Sequence, residues 1–203
     1  AYTARTLAGM IARCGLLKHG SDMTVEEIFD RYRNPAEATP MHEIGFAVQR
    51  GDKLSEEDQR LWDESRRVDI EFIGVWDTVG ALGVPFGRIR GLSRATFGFH
   101  NTYPSTLYKG MYHAVAIDEH RKAFDATLWT GFQAEGTEFE PLNEDQKLEQ
   151  RWFVGDHGDV GGSGTLAKIP LAWMQQKAAE HGPDGEAAKK EKRENKKDTQ
   201  KER

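Results

Sequence analysis

One apolar stretch, residues 69–76, constrains the fold of this chain more than any other feature. It is short, rich in β-branched and aromatic side chains, and apolar on nearly both of its faces. Strands of this composition belong to parallel sheets that are covered by helices on both sides. The stretch ends at Asp77-Thr78, so the sequence predicts a buried parallel strand with a carboxylate directly after it.

Helical patterns surround this strand. Thr24 and Glu27 form a capping box, a side-chain pairing that closes the first turn of a helix. Ser55 precedes three acidic residues, which favour a helix N-terminus. The helices predicted from such patterns cover residues 7–17 (stopped at Gly20), 24–32, 39–51 (with Thr39-Pro40 as its cap), 55 onward, 105–117 and 170 onward.

A second strand is predicted at residues 151–154, directly before a glycine-rich segment that carries His157. Strands alternating with helices indicate an α/β fold with a mostly parallel sheet flanked by helices. We assign this domain to residues 1–180. Residues 181–203 carry many charges of both signs and no apolar side chain after Ala188, so we expect a disordered tail.

The composition excludes several classes of protein. The formal net charge is −5, from 28 Lys and Arg against 33 Asp and Glu, so we expect no nucleic-acid partner. Cys14 is the single cysteine, which rules out an internal disulfide and a cysteine-rich zinc site. No apolar stretch approaches the roughly 20 residues of a membrane-spanning helix, and no signal peptide is visible. The start at Ala1 instead of Met indicates a fragment or a processed form.

Asp77 and His157 are the candidate catalytic residues, because each follows a predicted strand. Catalytic groups collect beyond the carboxyl ends of parallel strands. An acid followed later by a histidine is also the chain order of α/β-hydrolases, in which the nucleophilic serine comes first. The carboxylate would orient the imidazole, which would take the serine proton. The pattern alone leaves open that Asp77 caps a turn and that His157 is structural.

A serine nucleophile should precede Asp77, but the chain contains no Gly-x-Ser-x-Gly motif. The nearest imitation is centred on Ser93, which follows Asp77 and has no apolar strand before it, so we interpret it as a loop serine. The segment 161–164 lies too close to His157 in sequence and is more typical of a flexible turn or an anion-binding nest.

Four ordered blocks of sequence carry a resemblance to a known family. They are residues 1–11, Phe72–Gly80, His113–Arg121 and Trp152–Gly162, and Leu171–Met174 fits as well. These blocks resemble an α/β-hydrolase-like domain family that includes the phospholipase effectors of bacterial type VI secretion. Members of that family typically read Gly-Phe-Ser-Arg-Gly directly before Ala-Tyr-Thr-Ala-Arg, the residues that open this chain. The resemblance covers about residues 1–175.

The resemblance implies an incomplete α/β-hydrolase-like fold and a serine hydrolase of carboxylic esters, among them lipids and phospholipids. It implies Asp77 as the acid and His157 as the base of a Ser-His-Asp triad, without a metal or another cofactor. The serine would lie three positions before Ala1, so we expect the chain alone to be inactive and to fold poorly. The expected location is the bacterial cytoplasm, or outside the cell after secretion without a signal peptide, and no protein partner is indicated.

Other polar residues are predicted to support this site. Asp159 is expected to brace the histidine loop, and His113 is expected to lie just behind the catalytic groups. Asp118, with Glu119 and Arg121, is expected to form a polar network beside them.

Two other functions stay open. In the first, the chain is a non-catalytic hydrolase-like module that binds a partner or a ligand. In the second, it is a metal-dependent phosphoesterase whose metal ligands come from His113, Asp118, Glu119, His120, His157 and Asp159.

Overall fold

The structure, a computed structural model, describes residues 1–34, 37–79, 107–121, 124–129 and 145–182. Its helices are α1 (Tyr2–Cys14), α2 (Val25–Arg33), α3 (Met41–Arg50), α4 (Glu56–Glu64), α5 (His157–Gly161) and α6 (Lys168–Glu180). Its strands are β1 (Leu16–Leu17), β2 (Ser65–Arg66), β3 (Ile70–Trp76), β4 (Tyr108–Ala116) and β5 (Lys147–Phe153). Ser93, the glycine-rich stretch around it and residues 183–203 of the predicted tail lie outside the described residues.

The strands β3, β4 and β5 form a parallel sheet in that order, with β4 in the centre. Val75 is aligned with His113, and His113 with Gln150, so the three carboxyl ends reach the same edge of the sheet. The predicted mostly parallel sheet flanked by helices is confirmed. Both predicted strands are present, although β5 starts four residues earlier than the predicted strand.

The helix predicted over residues 105–117 is wrong, because residues 108–116 form the central strand β4. Every residue of β4 except Lys109 is buried, so the strand lacks the polar and apolar alternation that marks a half-exposed strand. Leu107, Met111 and Ala114 are also spaced as on a helix face. Periodicity alone cannot separate a buried strand from a buried helix, and pairing with β3 and β5 decides the outcome.

The two faces of the sheet are covered by different elements. On one face, Ile73, Val75 and Met111 pack with Ala8 of α1 and with Trp129. The opposite face buries a second set of side chains against α5 and α6: Phe72, Trp76, Tyr112, Ala114, Ala116, Phe153, Val160, Trp173 and Met174. Gly74 allows the close approach of α6, because a Cβ there would lie 2.7 Å from the Met174 sulfur. The sheet is therefore enclosed on both sides, as its apolar strands require.

The helices α1 to α4 enclose a separate apolar cluster beside the sheet. Its buried members are Cys14, Ile28, Tyr32, Met41, Ile44 and Leu61. The short antiparallel pair of β1 and β2 joins this lobe at the C-terminal end of α1. Since α1 contributes Ala8 to the sheet and Cys14 to the lobe, it connects the two apolar cores.

The helix boundaries mostly follow the predicted capping signals. The capping box of Thr24 and Glu27 is confirmed, and Ser55 caps α4 by accepting the backbone N–H of Asp58. The predicted cap at Thr39 is wrong: Pro40 is the N-cap residue of α3, and the Thr39 hydroxyl donates to Asp58 instead. The first helix ends before Leu17, because Gly15 at φ +80° turns the chain into β1.

Three tryptophans, two in the sheet and one in α6, differ in exposure. Trp173 is buried and Trp76 is half-buried, whereas Trp152 is 53% exposed at the end of β5. Trp152 therefore lies outside the core. Within the described ranges, no helix has both the length and the apolar character needed to cross a membrane.

Candidate active site

Asp77 lies one residue past β3 and is almost fully enclosed, with an exposed fraction of 1%. Its backbone N–H donates to the Ala114 carbonyl at 2.6 Å, which extends the pairing with β4 by one residue. Its Oδ1 accepts the Ala116 N–H at 2.9 Å, so one carboxylate oxygen is held by the central strand. The backbone φ of +35° is strained for a residue with a side chain, and such strain is common at functional sites.

His157 is the first residue of α5, which begins four residues after β5. A capping box starts this short helix: Asp156 Oδ1 accepts the N–H groups of Gly158 and Asp159, and Asp159 Oδ2 accepts the Asp156 N–H at 3.2 Å. Gly155 makes the preceding turn at φ +110°, where a Cβ would lie only 2.4 Å from the Asp159 Cβ. Asp159 therefore holds the loop that carries His157.

A short hydrogen bond joins His157 to Asp77. Their Nδ1 and Oδ2 atoms are 2.7 Å apart, although the residues are 80 positions apart in sequence. An ionised carboxylate only accepts hydrogen bonds, so the proton of a neutral imidazole lies on Nδ1 and its lone pair on Nε2. The His157 side chain is 33% exposed, while Asp77 is buried behind it. This pair can take a proton at Nε2 and stabilise the resulting imidazolium.

His113 lies in β4, is fully buried and bonds the residue that follows Asp77. Its Nε2 accepts the backbone N–H of Thr78 at 3.0 Å, and its Nδ1 lies 3.2 Å from the side-chain oxygen of Gln150. Burial is the main cause that lowers the pKa of His113 to about 4; the charge of Arg5 acts in the same direction, while the bond to Gln150 and the charge of Asp77 oppose it. His113 is therefore neutral near pH 7, and its bond with the Thr78 N–H holds the residue that follows Asp77.

Gln150, Trp129 and Arg5 belong to the same network and were not among the predicted site residues. The Gln150 amide bonds both the N–H and the carbonyl of Trp129, at 2.8 and 2.9 Å. Arg5 Nη1 donates to the Thr127 carbonyl at 2.5 Å, and its guanidinium lies 4.8 Å from the Trp129 ring centroid. The sequence holds no short-range signal for this network, because its members come from α1, β5 and the segment between β4 and β5.

Asp118 and Glu119 follow β4 and hold the loop of His157 from the other side. Asp118 Oδ2 accepts the Gly155 N–H at 2.8 Å. Glu119 Oε2 accepts the His157 N–H at 3.3 Å, and Arg121 bonds the same carboxylate. Hydrogen bonds from Arg121 hold the pKa of Glu119 near 2, far below its ordinary value. The predicted polar residues therefore meet around the histidine loop.

The suggested metal ligands do not converge in the described part of the chain. Both ring nitrogens of His113 are engaged inside the core, and Nδ1 of His157 is bonded to Asp77. His120 is exposed. No group of three or more His, Cys, Asp or Glu side chains that could hold a metal ion occurs among the described residues.

The start of the chain lies on the side of the sheet where His113 is buried. Arg5 of α1 donates to the Thr127 carbonyl, and the Thr127 N–H donates to the Thr78 carbonyl at 2.6 Å. The N-terminus of α1 is thus tied to the segment that follows Asp77. Ser163 lies exposed in the turn after α5, and Ser93 is outside the described residues.

The fold and the site define an α/β protein with a hydrogen-bonded Asp-His pair at the carboxyl edge of a parallel sheet. Residues 1–177 match the family described as "T6SS, Phospholipase effector Tle1-like, catalytic domain", and the chain belongs to that family. The resemblance drawn from the sequence blocks is thereby confirmed. The family description is that of the catalytic domain of phospholipase effectors.

A similar sequence also occurs in an uncharacterised yeast protein. The chain is 28% identical over 130 residues to YEL023C of Saccharomyces cerevisiae. The match covers 64% of this chain but only 17% of the yeast protein, so the chain spans a small part of that relative. No solved structure matches the chain.

Proposed function

We propose that this domain is the His-Asp part of a serine hydrolase that cleaves carboxylic esters of lipids, with an α/β-hydrolase-like sheet as its scaffold. The observation that carries the proposal is the 2.7 Å bond between His157 Nδ1 and the buried carboxylate of Asp77. The family of phospholipase effector catalytic domains supports a lipid ester as the substrate class.

In this mechanism His157 is the general base and Asp77 orients it. The lone pair on Nε2 takes the proton of the serine hydroxyl as its oxygen attacks the ester carbonyl, which forms a tetrahedral intermediate. The imidazolium is stabilised by Asp77, which stays ionised, and then gives the proton to the leaving alcohol. A water molecule repeats the sequence on the acyl-enzyme and releases the fatty acid.

We place the nucleophilic serine upstream of Ala1. The tie between α1 and the segment after Asp77 supports this placement, because residues that enter α1 would arrive near the Asp-His pair. A nucleophile at a strand-to-helix turn lies in the same position relative to the helix that follows it. In that arrangement, one N–H of the oxyanion hole comes from the residue after the serine.

The proposal is tested by fluorophosphonate labelling of the full-length protein in its source cells, followed by mass-spectrometric mapping of the labelled peptide. We expect the label on a serine upstream of Ala1 and its loss in His157→Ala. Asp77→Asn should lower kcat by about 10⁴-fold, because the imidazole loses the carboxylate that orients it.

His19→Ala is the matched control for these variants, since His19 is an exposed histidine far along the chain from the pair. This variant should keep both the label and the activity. A label that persists in His157→Ala, or a fully active Asp77→Asn enzyme, contradicts the proposed mechanism. Activity abolished by a chelator, with no label on any serine, would favour the metal-dependent alternative.

A further inference from the structure

Three residues that follow β4 contact His157 or the group that bonds it. We call Glu119, Arg121 and Phe124 the Glu119 clasp. Glu119 Oε2 accepts the backbone N–H of His157 at 3.3 Å. Arg121 donates hydrogen bonds to both oxygens of this carboxylate, from Nε to Oε1 at 2.9 Å and from Nη2 to Oε2 at 2.6 Å. A bidentate pair of this kind fixes the orientation of the carboxylate as well as its position.

Phe124 contacts the imidazole itself. The centroids of the Phe124 and His157 rings are 5.1 Å apart, with the planes inclined at 52°. The Arg121 guanidinium lies 4.2 Å from the centroid of the Phe124 ring. Arg121 therefore touches both groups that touch His157, one through hydrogen bonds and the other through its planar face.

The backbone around His157 does not fix the imidazole by itself. His157 opens a helix of five residues and has glycine at positions 155 and 158. The hydrogen bond from Nδ1 to Asp77 leaves the imidazole two motions. The ring can tilt about the hydrogen bond, and it can move together with the His157 backbone. A fixed backbone N–H and a contact on the ring face remove these two freedoms.

We propose that Glu119, Arg121 and Phe124 are positioning residues that hold the His157 imidazole in its bond with Asp77, with Arg121 acting through the other two. This inference rests on the proposed function, because it concerns the same catalytic base. A misplacement of about 1 Å can lower catalysis by roughly 100-fold. Removal of the clasp should therefore lower kcat. Its ion pair is open to solvent on the Arg121 side only, since 55% of the Arg121 side chain but 6% of the Glu119 side chain is exposed.

The chain offers a matched control for the clasp in Glu149 and Arg151 of β5. These residues have the same two-residue spacing, and their ion pair has an N···O distance of 2.6 Å. The Arg151 guanidinium also lies over an aromatic ring, 5.2 Å from the Trp173 centroid. No contact of this pair with His157 exists among the described residues. Both are glutamate–arginine pairs with the arginine over an aromatic ring, although Glu149 also pairs with Lys177 at 3.1 Å, and they differ in what they support.

The experiment measures steady-state ester hydrolysis by the full-length protein and by the variants Arg121→Ala, Glu119→Ala and the double variant. We expect each single variant to lower kcat by 10- to 100-fold, with KM and the melting temperature close to those of the parent. The double variant should be no slower than the slower single variant, because the two residues act as a unit. Arg151→Ala and Glu149→Ala should each stay within about twofold of the parent.

Conservative variants add a readout that a purely structural role would not produce. Phe124→Tyr keeps the ring and should keep kcat, whereas Phe124→Leu should lower it. Arg121→Lys should restore only part of the rate, because an ammonium cannot grip a carboxylate in two parallel bonds.

His157→Ala, measured in parallel, separates failure of the inference from failure of the proposed function. If His157→Ala is inactive and the clasp variants are as fast as the parent, the inference is overturned and the proposed function stands. Equal losses in the clasp and control variants also overturn it. A His157→Ala enzyme that keeps its activity removes the proposed function and the inference together.

Discussion

At the scale of single residues, the site combines Asp77, whose backbone is strained, with His157, which is contacted by Asp77, Glu119 and Phe124. Asp77 has a φ of +35°, which strains the backbone of a residue with a side chain. It is also 1% exposed, and burial disfavours a charged group. Both effects are offset by bonds from Ala116 N–H and His157, which satisfy both carboxylate oxygens. Glycine would be less strained at this φ, but it would lack the carboxylate that accepts both bonds.

His113 makes a pH-dependent contribution to stability. Its pKa is lowered from 6.5 to about 4, so the unfolded chain binds a proton at pH values where the folded protein does not. The stabilisation is therefore complete above about pH 6.5 and is lost as the pH falls toward 4. Between pH 7 and pH 5, we expect this group alone to lower the free energy of unfolding by on the order of 2 kcal/mol.

Denaturant unfolding of the parent and of His113→Asn at pH 7 and pH 5 measures this contribution. The variant should be less stable than the parent at pH 7 and should lose less stability on acidification. An equal loss in both proteins would assign the acid sensitivity to other groups.

Gly155→Ala should damage the site through the backbone. Alanine is strained at φ +110°, and its Cβ would lie 2.4 Å from the Asp159 Cβ, so the histidine loop has to shift. We expect a loss of stability of about 1–3 kcal/mol and a fall in kcat of about 100-fold.

Gly20→Ala provides the comparison for Gly155→Ala. It has a similar positive φ of +79°, but nothing lies within 4 Å of the added Cβ. This variant should lose some stability and keep its kcat. If both variants retain full activity in an ester-hydrolysis assay, the position of the loop is not critical for the reaction.

At the scale of elements, the sequence predicted the exposed helices better than the central strand. Helices α2 and α4 carry their own start signals at Thr24 and Ser55, which act on neighbouring residues only. The strand β4 carries no such signal, because burial on both faces removes its alternation. Its strand conformation depends on β3 and β5, from which it is separated by many residues.

The cap of α2 gives a prediction at this scale. Thr24→Ala removes the side-chain oxygen that accepts the Glu27 N–H, and should lower the free energy of unfolding by about 1 kcal/mol. Thermal denaturation of the full-length protein measures the effect, with Thr24→Ser as the control that keeps the hydroxyl. Hydrolytic activity should not change in either variant, because α2 contributes nothing to the described site. A Thr24→Ala protein as stable as the parent would contradict the role of the cap.

At the scale of the whole molecule, α1 joins the helical lobe to the sheet and begins near the site. It packs on the sheet through Ala8 and closes the lobe through Cys14. Its Arg5 is tied to the segment between β4 and β5, which in turn pairs with the residues after Asp77. A residue placed directly before α1 would therefore be held by both cores.

Residues 1–203 expressed alone should not hydrolyse esters and should take no fluorophosphonate label on a serine. The reason is that the proposal places the nucleophile of the Asp-His pair upstream of Ala1. Addition of the upstream segment should restore both the label and the hydrolysis. Robust esterase activity from residues 1–203, lost in His157→Ala, would instead place the nucleophile inside this chain.

The sequence by itself determined the α/β class, the capped helices and the two candidate residues Asp77 and His157. Each of these follows from local composition, from a capping signal or from a position at the end of an apolar strand. The roles of Asp77 and His157 in catalysis stay predictions. The bond between them, 80 residues apart, needed the register of the sheet.

Only the tertiary structure decided the conformation of β4, the Asp77–His157 bond and the network of His113, Gln150 and Trp129. These features depend on groups that are distant in sequence and come together only when the strands pair. A buried strand is apolar throughout, and a buried polar group takes whichever partner the fold brings within reach. Local sequence holds neither piece of information.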